Sequence, residues 1–391
     1  MKDITLSPDQ KTAMDIAITK VKMKEQCVTI GGYAGTGKTT ITGEIIKVLR
    51  PDFPRIAFAC FTGKAKNVLE KKLMASGALI EGDFCGTIHQ LIFDARRRII
   101  LDREENTIEV KASFEKKTSR EKFDLIVIDE ASMVNRYLYD NIAEFKTPIL
   151  AIGDHAQLPP IGADDFSLMK DPMIRLEKIH RQAENNPIVK LSMMARIDGY
   201  VPCENYGEGV IKTDNGNLID SISDLDNWTV LTGTNWRRTK FNSWFRKKKY
   251  GTVIEGPIVG DRVVCLRNNH AKRVFNGMQG IIKNITPEGD HWYMAEIQMD
   301  GFVYIGKIFK HQFMNEKTLT KNKGFEKVHP DDFEDLWDYG YALSYWKAQG
   351  SEFQNVIMIE ERFQTMSDDV WRRCLYTGIT RAREKLIIIG R

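Results

Sequence analysis

Short apolar runs, each followed by an amphipathic stretch, dominate the first part of this 391-residue chain. Cys27-Val-Thr-Ile30, Arg55-Ile-Ala-Phe-Ala-Cys60, Phe123-Asp-Leu-Ile-Val-Ile128 and Pro148-Ile-Leu-Ala-Ile152 read as buried strands. Runs with little polar alternation suit strands covered on both faces. The stretches between them carry a helical period, so the pattern predicts βα units on a largely parallel sheet. Each candidate strand ends at a group of chemical character, which is where parallel sheets place ligands.

Between His89 and Lys122 the pattern changes. Arg98-Ile-Ile-Leu101, then Asp102-Arg-Glu-Glu-Asn-Thr107, then Ile108-Glu-Val-Lys-Ala-Ser-Phe114 predicts a hairpin inserted into the αβ module, since two β-like runs flank a polar turn. Surface decoration and a functional role both remain open for it. A second strand set begins at Thr229-Val-Leu231, and residues 257 to 310 read as all-β. Asp261-Arg-Val-Val-Cys-Leu266, Gly280-Ile-Ile-Lys-Asn-Ile285, Trp292-Tyr-Met-Ala-Glu-Ile-Gln298 and Phe302-Val-Tyr-Ile305 are punctuated by Asn276-Gly277, Glu288-Gly289 and Asp300-Gly301. Strands this short with such turns predict a small barrel. Tyr341-Ala-Leu-Ser344, Asn355-Val-Ile-Met-Ile359 and Lys385-Leu-Ile-Ile-Ile389 then restore the buried-strand style.

Composition narrows the picture modestly. The length suggests two to four modules, and 42% hydrophobic with 28% charged residues is ordinary for a packed core. A net charge of +4 permits a nucleic-acid partner without arguing for one. Six cysteines carry no C-x-x-C pair, so free thiols are expected rather than a disulfide framework or zinc cluster. The polar N-terminus and the lack of an apolar run near ~18 residues predict no signal, no membrane span and a cytoplasmic protein.

The chemistry starts at Gly32-Tyr-Ala-Gly-Thr-Gly-Lys38-Thr39, between an apolar strand and a helix-like stretch. Glycines at 32, 35 and 37 let backbone N–H groups face phosphates at a helix N-terminus. Lys38 would neutralise the β- and γ-phosphates of ATP and the Thr39 hydroxyl would ligate Mg²⁺. Asp129-Glu130 closes another apolar strand, so Asp129 can hold Mg²⁺ through water and Glu130 can orient and deprotonate the attacking water. Gln157, in Gly153-Asp154-His-Ala-Gln157-Leu-Pro-Pro160, is placed to sense the γ-phosphate or the water. His155 lacks companion ligands for a metal. Gln10, just before the first helix, can read the adenine edge, although an N-capped surface helix explains Ser7 and Asp9 equally well.

In chain order, these stretches resemble the superfamily 1B DNA helicases of the RecD/Dda type. The matching segments are Leu6 to Gln10, Gly32 to Thr39, Phe61-Thr-Gly-Lys-Ala65, Thr87-Ile-His89, Asp129-Glu-Ala-Ser132, Gly153 to Pro160, His180-Arg-Gln182, Gly233-Thr-Asn235, Trp346-Lys-Ala-Gln-Gly350 and Tyr376 to Arg381. They cover almost the whole chain. The resemblance implies an α/β fold of two RecA-like P-loop domains with parallel sheets and ATP bound between them. It places the first at 1–182, with a pin hairpin inserted at about 90–122. The second is placed at 183–391, with an SH3-like β-barrel at about 255–330.

It further implies a set of residues. Arg181 and Arg381 become arginine fingers beside Lys38, Glu130 and Gln157, whereas salt bridges suit Arg238 and Arg383 better. Nucleotide contacts comprise Gln10, Gly32, Gly35, Thr36, Gly37, Lys38, Thr39, Thr40, Gly350 and Glu352. Phe61, Thr62, Lys64, Thr87 and His89 on the first domain, with Asn235, Ser344, Trp346 and Lys347 on the second, would line a single-stranded DNA track. Hydroxyls and lysines there grip phosphates while aromatics stack bases. Relatives usually carry His-Lys where this chain has Trp346-Lys347, so a stacked base can replace a phosphate hydrogen bond. The basic run Arg237-Arg238, Lys240 and Arg246-Lys-Lys-Lys249 reads as a nucleic-acid contact or a solvated helix face.

The activity implied is an ATP-dependent helicase moving 5′ to 3′ on single-stranded DNA. Single-strand/duplex junctions would be its substrate, ATP and Mg²⁺ its cofactors and a monomer its working form. Single-stranded-DNA-binding or replication proteins are candidate partners, in a bacterial or phage-infected cell. The alternatives are a nucleic-acid-stimulated ATPase that remodels DNA-bound proteins without unwinding, an RNA helicase of the same superfamily, and a 3′ to 5′ translocase of the sister branch.

Overall fold

The computed structural model describes residues 6–102, 107–117, 121–160, 166–178, 186–269, 272, 274–319, 321–323 and 335–390. The chain divides into two compact units, Met1–Asp94 with Glu115–Ile197 and Ala95–Phe114 with Asp198–Arg391.

In the first unit, β1 (Cys27–Gly32), β2 (Ile56–Cys60), β3 (Phe84–Thr87), β6 (Leu125–Asp129), β7 (Ile149–Gly153) and β8 (Ile174–Leu176) form one parallel sheet. Their order is β3-β2-β6-β7-β1-β8. Successive side chains on a strand point to opposite faces, and the apolar runs serve two cores accordingly. Leu125 and Val127 join Ile30, Phe58 and Ile45 in one cluster. Ile126 and Ile128 join Ala57, Ala59 and Leu138 in the other. Helices α1 (Pro8–Lys22), α2 (Lys38–Leu49), α3 (Gly63–Ser76), α4 (Ile88–Ile92) and α5 (Arg136–Ala143) connect the strands or lie beside them. Helix α1 starts on a capping box in which Ser7 caps Gln10 and Gln10 caps Ser7 in return, with Pro8 at its first position.

The second unit contains a second sheet, ordered β18-β11-β19-β20-β10-β9. It comprises β9 (Asn205–Gly207), β10 (Val210–Thr213), β11 (Trp228–Thr232), β18 (Ala342–Ser344), β19 (Phe353–Ile359) and β20 (Ala382–Ile389). Only β9 runs antiparallel to its neighbour. The all-β region expected at 257 to 310 is a five-stranded antiparallel sheet, in the order β15-β14-β13-β12-β17. Its strands are β12 (Arg262–Cys265), β13 (Gln279–Glu288), β14 (Trp292–Gln298), β15 (Val303–Phe309) and β17 (Trp337–Tyr339). The sequence pattern misses β17, which lies far down the chain and packs Trp337 on Tyr304 with ring centroids 5.2 Å apart.

The expected hairpin forms as β4 (Phe93–Asp102) and β5 (Thr107–Lys116). It gains a third strand, β16 (Lys321–Lys323), which pairs antiparallel with Thr107–Glu109 of β5. The turn residues 103–106 lie outside the described residues. Among the described residues no helix is long and apolar enough to cross a membrane.

Candidate nucleotide site and nucleic-acid surface

The phosphate loop joins the buried β1 to α2. Gly35 and Gly37 take φ of 83° and 79°, the left-handed region that glycine enters without a Cβ penalty. Gly37 is also the N-cap of α2 and offers no side-chain cap, so the first-turn N–H groups are left for a ligand. A Cβ on Gly32 would lie 2.6 Å from Thr36 Oγ1. Thr36 itself is buried and donates to the Tyr33 carbonyl at 2.9 Å. Thr39 is exposed and Thr40 half-buried in the first turn of α2.

Lys38 Nζ folds back onto this loop, donating to the carbonyls of Gly32 (2.7 Å) and Tyr33 (3.0 Å). It lies 3.8 Å from Asp154 Oδ2. Asp154, fully buried after β7, accepts from the Ala156 N–H at 3.0 Å and from Gln157 Nε2 at 3.4 Å. One carboxylate thus ties Lys38 to Gln157, a connection the sequence reading does not assign to Asp154. His155 packs on Tyr33 with ring centroids 4.4 Å apart, while Arg196 Cζ sits 3.6 Å from the Tyr33 ring. Burial lowers the His155 pKa.

Asp129 and Glu130 end β6 as expected. Burial raises the Asp129 pKa, opposed by a 3.0 Å hydrogen bond from the Glu130 N–H and by the charges of Lys72 and Lys38. Glu130 occupies the left-handed region at φ 54°, at the N-cap of the single-turn 3₁₀ helix Ala131–Met133. Asp129 and the Thr39 hydroxyl are hard oxygen donors that fit Mg²⁺. Among the described residues no cluster of three or more acid, His or Cys side chains forms a protein-only metal cage. Gln10 is buried. Its Nε2 donates to the Thr36 carbonyl at 3.0 Å and its Oε1 accepts from the Ser7 N–H at 3.0 Å, so the amide braces the phosphate loop.

In the second unit, Arg381 is buried at 5% exposure. It donates to the carbonyls of Thr377 (3.1 Å) and Ser351 (3.0 Å) and to Thr380 Oγ1 (3.1 Å). Arg238 pairs with Asp338, and Arg383 pairs with Glu352 at 2.8 Å, so Glu352 is held by a surface arginine. Gly350 takes φ 69°. Arg181 falls within residues 179–185 and lies outside the described residues.

The proposed strand-contact residues sit mainly at helix starts. Thr62 caps α3 and the buried Thr87 caps α4, accepting from Ala65 (3.1 Å) and Gln90 (3.2 Å) N–H groups. Phe61 follows β2 and meets His89, ring centroids 6.2 Å apart, while Lys64 is half-buried on α3. Ser344 caps the helix Tyr345–Ala348, whose Trp346 is half-buried. Burial, then the Arg238 charge, pushes the Lys347 ammonium down to about 8.

Asn235 opens the helix Asn235–Tyr250, which contains the basic run. Five of its seven cations have acidic partners: Arg237 with Glu361, Arg238 with Asp338, Arg246 with Asp261, Lys248 with Asp220 and Lys249 with Asp226. Arg238 and Arg246 are buried. The charge run is therefore largely structural. Glu361, which sequence pattern does not single out, accepts from the Gly233 N–H, the Thr234 N–H (3.1 Å) and Thr234 Oγ1 (3.1 Å). It thereby fixes the turn that presents Asn235. No local signal marks it, because its partners are more than a hundred residues away in the chain.

Two family models match: an AAA domain over residues 15–163 and a UvrD-like helicase C-terminal domain over residues 339–389. The chain is 25% identical to the ATP-dependent DNA helicase dda of Enterobacteria phage T4, covering 97% of this chain and 98% of that protein. It is 24% identical to the ATP-dependent RecD2 DNA helicase of Deinococcus radiodurans, over 93% of this chain but only 47% of that protein. Among solved structures, the Pif1 helicase from Bacteroides in complex with ADP-AlF3 and ssDNA superposes with a TM-score of 0.56, at 18% identity. The match covers 99% of this chain and 93% of that one. With the phosphate loop, this defines a P-loop NTPase with two RecA-like α/β domains. Within that class the chain is similar to the Dda, RecD2 and Pif1 DNA helicases.

Proposed function

We infer that the chain is an ATP-dependent DNA helicase, and propose that it moves 5′ to 3′ along single-stranded DNA and parts the duplex ahead of it. The observation that supports this most is the connection from Lys38 through Asp154 to Gln157. When β- and γ-phosphates enter the loop, the Lys38 ammonium exchanges the Gly32 and Tyr33 carbonyls for phosphate oxygens. Asp154 feels that movement, and Gln157 hangs on the same carboxylate, so phosphate occupancy is reported at the end of β7. Glu130 takes the proton of the attacking water. Thr39 and Asp129 would hold Mg²⁺, which supplies charge neutralisation to the phosphates when bound. Arg181 and Arg381 are assigned to the developing charge on the transferring phosphoryl group.

DNA is gripped, in this reading, by Phe61, Thr62, Lys64, Thr87 and His89 on one unit and by Asn235, Ser344, Trp346 and Lys347 on the other. The β4–β5 hairpin is the proposed duplex-splitting pin. The five-stranded antiparallel sheet is the proposed SH3-like module. A monomer would suffice, with single-stranded-DNA-binding or replication proteins as partners.

The test is ATP-dependent strand separation on duplexes with a 5′ or a 3′ single-stranded tail, with Lys38→Ala as the blank. Unwinding from the 5′ tail alone is expected. A 3′ preference overturns the direction. Hydrolysis stimulated by DNA without strand separation favours the remodelling ATPase, and equal activity on RNA removes the restriction to DNA.

Lys347 gives the DNA grip a pH dependence. Its pKa is depressed to about 8, so the ammonium is charged below that value and neutral above it. Binding a phosphate favours the charged form, so affinity for single strands falls as pH rises from about 7 to 9. The salt slope should shrink by about 0.7 over the same interval, the value of one phosphate contact on a single strand. Lys347→Arg should abolish both changes, because guanidinium stays charged. Fluorescence anisotropy of a labelled oligonucleotide checks this, and an identical pH profile in the two proteins would remove Lys347 from the grip.

A further inference from the structure

Four rings in the first unit form a continuous row. Phe61 meets His89 edge-on at 6.2 Å, His89 meets Phe93 at 6.1 Å, and Phe93 lies stacked on Tyr137 at 6.0 Å with 8° between the planes. These separations fall within the roughly 4.5–7 Å of aromatic contact. Phe61 and His89 already belong to the proposed strand path, whereas Phe93 and Tyr137 have no assignment. Phe93 is buried in the core and is the first residue of β4, so it stands at the foot of the hairpin. Tyr137 is 59% exposed on the first turn of α5. The Phe93 ring lies against it.

A core-packing role accounts for Phe93 but not for the exposed Tyr137. Beside it on α5, Arg136 is also exposed, with its guanidinium 4.2 Å from the Phe166 ring. A preordered ring next to a cation is the combination that single-strand tracks use, the ring for a base and the cation for a phosphate. Burial lowers the His89 pKa, which leaves the second ring of the row uncharged at neutral pH and suited to stacking.

We propose that Tyr137 stacks a nucleobase of single-stranded DNA at the foot of the β4–β5 hairpin, extending the strand path that Phe61 and His89 begin. The proposal rests on the helicase reading, and the test separates the two. Tyr137→Ala and Tyr137→Trp are compared with wild type and with Lys64→Ala for binding of a labelled oligothymidine. A set of oligonucleotides with 2-aminopurine at successive positions reports stacking base by base. Tyr137→Ala should bind about tenfold more weakly, the loss of one base–aromatic stack, and one position should lose its fluorescence quenching. Tyr137→Trp should restore both. Melting temperatures control for folding.

If Lys64→Ala weakens binding while Tyr137→Ala changes neither affinity nor quenching, the helicase reading stands and the stacking contact is overturned. If Ala and Trp weaken binding alike and quenching fades uniformly, Tyr137 is structural and the proposal again falls. A wild-type protein that hydrolyses ATP but binds no oligonucleotide overturns the helicase reading itself.

Discussion

Arg381→Ala is expected to lower DNA-stimulated ATP hydrolysis by about 10³–10⁵-fold, the range of an arginine finger, with ATP affinity changed far less. Its surroundings support that assignment. The guanidinium is buried, yet among the described residues its partners are two carbonyls and a hydroxyl rather than a carboxylate. A buried charge without a counter-charge is costly, so the arrangement suits a group waiting for an anion. Arg238 provides the contrast within the same unit, since it is buried beside Asp338 and its charge is already met. Arg381→Lys keeps the charge but loses the planar fork, and should recover little of the rate. The arginine also links Ser351 to Thr377, so alanine disturbs local structure as well. Hydrolysis must therefore be read beside nucleotide binding and melting temperature. A loss below about tenfold in rate, worth about 1.4 kcal/mol, would leave Arg381 a structural residue.

Arg381 entered through the helicase resemblance, and why Glu361 escaped the sequence is a matter of range. The phosphate loop, the Asp129-Glu130 strand end and the Gly153-to-Pro160 stretch are local patterns, each set by a buried strand running into a turn. The parallel strands were legible for the same reason, because Ile126 to Ile128 must be apolar on both faces. What stayed hidden is pairing across distance. Arg238 finds Asp338 a hundred residues away, and Arg246 finds Asp261, so a helix that reads as a basic patch is mostly neutralised in the fold. The strand β17 and the pairing of Lys321–Lys323 with β5 fall in the same class. Asp154 is intermediate. It was visible as part of a stretch, but its position between Lys38 and Gln157 requires two strand ends to be brought together. The Phe61-to-Tyr137 row joins three separate segments, and only the His89–Phe93 pair, four residues apart, follows a local period.

Glu130→Gln should lower hydrolysis by about 10²–10⁴-fold, the usual contribution of a general base, while nucleotide still binds. The amide keeps the size of the carboxylate and loses its negative charge and its capacity to take a proton. Glu130→Gly should be equally inactive and yet more stable. The reason lies in the backbone, because Glu130 sits at φ 54°, where a residue with a Cβ is strained by about 1 kcal/mol or more. Glycine enters that region freely. Relief of about 1 kcal/mol raises the melting temperature by about 2–4 °C for a unit of 150–250 residues. Strain kept at the position proposed to aim a base at the nucleotide is the pattern expected where local stability is exchanged for function. Thermal melting of the three proteins, read with their hydrolysis rates, distinguishes the two effects. A Glu130→Gly protein that melts below wild type shows that the side chain is stabilising in place. A Glu130→Gln protein that still hydrolyses at wild-type rate moves the base elsewhere, and the left-handed turn after β6 then has no catalytic purpose.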